Sequence, residues 1–97
     1  MRPGQIDRDE QLIAELVSRI QEADESGDPV QYVRDFKADR HLKEALMPDS
    51  KLSPSVICWH LKQAEEAGLF RKKTVGTVQS VIHGHTVKSD LTQLSPT

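Results

Sequence analysis

Apolar residues recur along this chain at intervals that mark out a series of short elements. Leu12, Ile13, Leu16, Val17 and Ile20 lie on one side of a helical wheel, so this stretch carries an amphipathic stripe. Asp7 and Glu10 can cap its start reciprocally, and the acidic, turn-forming run at 22–27 can end it. A first helix is therefore predicted over residues 8–23. Asp28-Pro29 then supplies a capping acid and a first-turn proline. Val30, Val33 and Phe36 follow at helical intervals with Tyr32 beside them, and Leu42, Ala45 and Leu46 form a second cluster. One or two helices are expected at 29–47, with a break near 38–40. The rival reading takes 30–36 as a short strand. Residues 47–51, with Pro48, Asp49 and Ser50, form a turn.

Residues 52–73 are the most informative stretch. Ser53 can accept a hydrogen bond from the first free amides of a helix, and Pro54 fits the first helical position, where no donor is needed. Ile57, Leu61 and Ala64 place one stripe against a core. Gly68 stands where a left-handed C-terminal cap favours a residue without a β-carbon. Leu69 and Phe70 come next, then three consecutive cations, Arg71, Lys72 and Lys73. Residues 70–75 and 78–82 read as two short strands of a hairpin around Gly76-Thr77. Residues 88–97 are polar, end in Ser-Pro-Thr and are expected to be a flexible tail. With a loose N-terminus at 1–6, this leaves one domain at 7–87.

The run from Ser53 to Leu69, with His60-Leu61-Lys62 at its centre and Glu66-Ala67-Gly68-Leu69 at its end, resembles the recognition helix of arsenic-repressor-type winged-helix regulators. It is more similar still to a family of short phage and prophage winged-helix proteins of unknown function. Those place an aromatic before the His-Leu-Lys, as Trp59 stands here, and open on an Arg-Asp followed by Leu-Ile, as Arg8-Asp9 precedes Leu12-Ile13. The resemblance implies a mainly α fold with a small β-hairpin. That is a winged helix-turn-helix with three to four helices and a two- or three-stranded wing. It also implies a role as a DNA-binding transcriptional regulator or a phage or mobile-element accessory factor.

Composition restricts the alternatives. Charged residues make up 29% and hydrophobic ones 36% of the 97 residues, which fits a folded domain better than a disordered chain. No apolar run approaches the ~20 residues of a membrane span, and the Met-Arg-Pro-Gly-Gln start does not read as a signal peptide. A single cysteine cannot form an internal disulfide, so a cytoplasmic location is expected. Net charge is −2, but its distribution is uneven. Residues 1–50 hold 7 Lys/Arg against 12 Asp/Glu, and residues 51–97 hold 6 against 3. The basic excess thus accompanies the expected reading helix and wing.

The residues expected to meet DNA are Ser53, Ser55, Val56, Trp59, His60, Lys62 and Gln63 on the helix, with Arg71, Lys72 and Lys73 on the wing. Serine and glutamine can bond bases or phosphates, lysine can neutralise a phosphate, and valine can touch a thymine methyl. Trp59 could meet nucleic acid or a partner, or pack into the core. His60 occupies a signature position that the resemblance makes structural or phosphate-facing. Cys58, His60, His83 and His85 could be imagined around a zinc ion. However, arsenic-repressor-type sensors use paired cysteines, and Cys58 and His60 diverge on a helix. No metal or other cofactor is expected. No phosphate-binding loop or catalytic motif is present, so the chain does not read as an enzyme. Double-stranded DNA is the expected partner, with a homodimer and a protein bound through the acidic half also considered. The alternative function is a winged-helix protein-interaction module, an anti-repressor or adaptor.

Overall fold

Six elements follow one another in the computed structural model, which describes residues 6–97. They are α1 (Glu10–Glu25), β1 (Gln31–Arg34), α2 (Ala38–Leu46), α3 (Pro54–Glu66), β2 (Phe70–Ile82) and β3 (His85–Pro96). The strands form one antiparallel sheet in the order β1-β3-β2. The fold is α+β rather than mainly α, because β2 and β3 run for 13 and 12 residues. Of the loose N-terminus expected at 1–6, only Ile6 lies within the described residues, and it is half-buried.

The first helix starts later than the Asp7 cap implied. Asp9 is the residue whose carboxylate accepts hydrogen bonds from the Gln11 and Leu12 amides, at 3.0 and 3.3 Å. Leu12, Ile13, Leu16 and Ile20 are buried along α1 as the stripe required. Between α1 and α2 the chain is extended, so the strand reading of 30–36 holds over Gln31–Arg34. Local spacing misleads here because the partner of β1 lies far downstream: Gln31 pairs with Gln93, 62 residues away. Val30 and Tyr32 are buried, whereas Phe36, counted with an apolar helical face, is 80% exposed.

The hairpin also differs from expectation. Gly76-Thr77 is not its turn; the chain continues past a β-bulge between Thr74 and Gly76 and reverses at His83-Gly84. His83 and Gly84 have φ of 50° and 78°, the two positive values that a two-residue I′ turn requires. Residues 88–97, expected as a flexible tail, instead supply most of β3, the central strand. Their partners explain the order: Phe70 to Ile82 pair with Pro96 to His85, and the Leu94 amide donates to the Val30 carbonyl at 2.9 Å.

Strand alternation sorts the sheet into two faces. Phe70, Leu94, Thr92 and Tyr32 are buried and share the inner face, against which α1, α2 and α3 pack. Leu16, Ile20, Ile57 and Leu61 complete the core. Leu94 is fully buried, so Leu94→Ala should lower stability by ~2–5 kcal/mol. Urea unfolding would measure it; no loss would mean that the C-terminal segment is frayed after all.

Candidate nucleic-acid interface

α3 begins with its Ser53 cap, whose Oγ accepts from the Val56 amide at 3.4 Å, and with Pro54 in the first turn. Ile57, His60, Leu61 and Ala64 face the core. That orientation turns Ser55, Trp59 and Lys62 outward, at successive helical turns on the other side. They line a groove of about 480 Å³ between α3, the start of α2 and the inner face of the sheet. The sheet contributes Tyr32, Arg34 and Lys72, and Ile6 also lines it. The groove therefore gathers three cations (Arg34, Lys62, Lys72) around one indole, opposed by Asp39 and Glu65.

Comparison with protein-family models, curated proteins and solved structures finds no match to this chain.

Lys72 is held in the free protein by Glu65, with Nζ 3.5 Å from Oε1. Both side chains are about a third exposed, so the bridge contributes no more than ~1 kcal/mol and an incoming phosphate can replace it. Trp59 is half-buried, its ring edge-on to His60 with centroids 5.0 Å apart. The indole thus both meets the His60 ring and lines the groove.

Several expected contacts are placed elsewhere. His60 cannot be a contact: it is 1% exposed and both ring nitrogens are engaged inside. Nε2 accepts from the Asp9 amide at 2.9 Å, and Nδ1, carrying the proton, donates to the Val56 carbonyl at 2.8 Å. This ring ties α3 to the start of α1. Val56 is partly buried against the core, and neither it nor Gln63 lines the groove. Ser53 is exposed, but its hydroxyl serves the helix cap.

The basic triplet is also divided. Lys72 pairs with Leu94 in the register and so shares the inner face, while Arg71 and Lys73, opposite Ser95 and Gln93, project from the outer face. Only one of the three points toward α3. Arg34 was missed because 29–47 read as helical; the strand reading would have placed it beside Tyr32, one turn of the pleat along.

Cys58 lies half-buried beside Asp39. Its Sγ lies 3.7 Å from the Asp39 carbonyl, and burial, reinforced by Asp39, pushes the thiol up to about 12. His83 and His85 stand at the hairpin turn, on a different element from Cys58 and His60. Among the described residues, no group of three or more His, Cys, Asp or Glu side chains could hold a metal ion. No helix there is long and apolar enough to cross a membrane.

The β1–α2 loop borders the α3 N-terminus, since Phe36 and Pro54 line one shallow cavity. Asp35 fixes this loop by accepting from the Lys37 amide at 2.7 Å and meeting His41. The amide bond, then His41, lowers the Asp35 pKa below the ordinary carboxylate value.

Proposed function

We propose that this protein is a winged-helix DNA-binding protein that reads the major groove with α3 and grips the backbone with its long hairpin. The observation that carries this reading is the groove in which Lys62 of α3 and Lys72 and Arg34 of the sheet converge on Trp59. Its support in topology is the order α1-β1-α2-α3-β2-β3 with a β1-β3-β2 sheet, which sets a capped helix beside a protruding hairpin. In this arrangement Ser55 and Lys62 meet base edges or phosphates, and Trp59 packs on a sugar or base. Lys72 exchanges Glu65 for a backbone phosphate. A task in transcription regulation or as an accessory factor of a mobile element follows from this reading, as does a cytoplasmic location.

Trp59, the only tryptophan, provides the test. Duplex DNA from the region flanking the protein's own gene, titrated at two salt concentrations, should shift and protect its fluorescence. The logarithm of the affinity should fall linearly with that of salt concentration, as expected when phosphates release counterions. Unchanged emission and no salt-dependent binding would reject the proposal. The second reading, a protein-docking module, is favoured by the exposed acids of α1, which include Glu15, Glu22 and Glu25. It would give partner binding with little salt dependence and no response to DNA.

A further inference from the structure

We propose that the groove beside α3 takes one unstacked nucleotide, with its base on Trp59 and its phosphate among Arg34, Lys62 and Lys72. DNA carrying an unpaired base is then preferred to continuous duplex, a preference that rests on the DNA-binding reading above. The groove is ordered from polar outside to apolar inside. Ser55, Lys62 and Arg34 are exposed, Trp59 is half-buried, and Tyr32, Leu42 and Leu61 are buried. A nucleotide has the same order, a flat base with two apolar faces joined through a sugar to an anion. Along α3, Ser55 precedes Trp59 by about 6 Å of helix axis and Lys62 follows it by about 4.5 Å, so a hydroxyl and an ammonium flank the indole.

Charge supplies the anion's side of the fit. Among the described residues, neither Arg34 nor Lys62 has an ion-pair partner, and Lys72 is held only by its 3.5 Å surface bridge to Glu65. With Asp39 and Glu65 also lining the groove, cations outnumber acids by three to two, an excess that suits a single phosphate. An aromatic side chain from a protein partner would fill the apolar part but brings no anion of its own.

Continuous duplex offers little to an indole in this position. Its bases are stacked, so their faces are covered and only their edges reach the grooves. Trp59, more buried than the Ser55 and Lys62 beside it, meets a base face only when the base leaves the stack. A base that is already unpaired leaves at the least cost. The volume of the groove, about 480 Å³, lies within the ~300–1,000 Å³ of sites that enclose a small ligand.

Three duplexes that differ at one position test this on the full chain. One is fully paired, one carries a single unpaired thymine, and one carries an abasic residue in place of that thymine. By fluorescence anisotropy of labelled DNA, the unpaired thymine should tighten binding about ten-fold or more over the paired duplex, as expected for one base stacked on an aromatic ring. The abasic duplex keeps the flexibility and phosphates but has no base, so it should stay within about two-fold of the paired one. Trp59→Leu keeps apolar bulk but removes the aromatic face, and it should shrink the ten-fold ratio to about two-fold, with urea unfolding to show that the variant is folded. Equal affinity for paired and unpaired DNA would overturn the inference and leave DNA binding in place. The same gain from the abasic duplex would overturn it on the unaltered chain, by assigning the preference to flexibility. A folded Trp59→Leu variant with the full ratio would also overturn it, and binding of none of the three duplexes would overturn the DNA-binding reading as well.

Discussion

Leu61→Ala is expected to destabilise the protein by ~2–5 kcal/mol, a large share of the ~5–15 kcal/mol that holds a domain folded. Leu61 is 1% exposed and belongs to the same buried core as Ile57, Phe70 and Leu94, on the helix that packs against β2. Truncation removes transfer free energy and leaves a cavity that neighbours on two different elements cannot fill without moving. The neighbouring Lys62 points the other way, so Lys62→Ala should change stability by no more than about 0.5 kcal/mol. Urea unfolding with an unchanged m-value would measure both. If the two substitutions cost the same, α3 is not rotated as described, and the groove assigned to its outward face loses its basis.

The largest expected effect on binding comes from Lys62 and Lys72 together. Replacing both with alanine removes up to two phosphate contacts, so the slope of log affinity against log salt should fall by about two. Affinity at low salt should fall roughly ten-fold or more. Stability should change little, since Lys62 is exposed and the bridge from Lys72 to Glu65 is a surface one. The companion variant, Arg71→Ala with Lys73→Ala, removes the same charge from the outer face of the sheet. It should leave most of the slope in place. Equal losses from both pairs would mean that nucleic acid wraps the edge formed by β2 rather than entering the groove. No loss from either would favour the protein-docking reading.

Some of this architecture was legible in local sequence. The stripes of α1 and α3, the Ser53-Pro54 start and the Gly68 exit each draw on residues within a turn or two of one another. Periodicity and capping chemistry operate over that range, so these elements stand close to where the pattern put them. The groove-lining Ser55, Trp59 and Lys62 were legible for the same reason, since knowing the buried side of a helix gives its exposed side.

The rest required tertiary structure. Val30, Val33 and Phe36 have helical spacing, yet the backbone at Gln31–Arg34 is extended because β3 lies beside it. The polar run at 88–97 has no strong apolar pattern, but it is placed between two strands and buries Leu94 beneath three helices. Likewise Arg71, Lys72 and Lys73 are one basic run in sequence and two opposed surfaces in the sheet. His60 stands open between a structural and a phosphate-facing role until the Asp9 amide, 51 residues away, is brought to its ring. Local spacing by itself determined α1, α3 and the outward face of α3. Strand partners, sheet faces and the burial of a polar side chain are set by groups distant in sequence, so only the folded chain decided them.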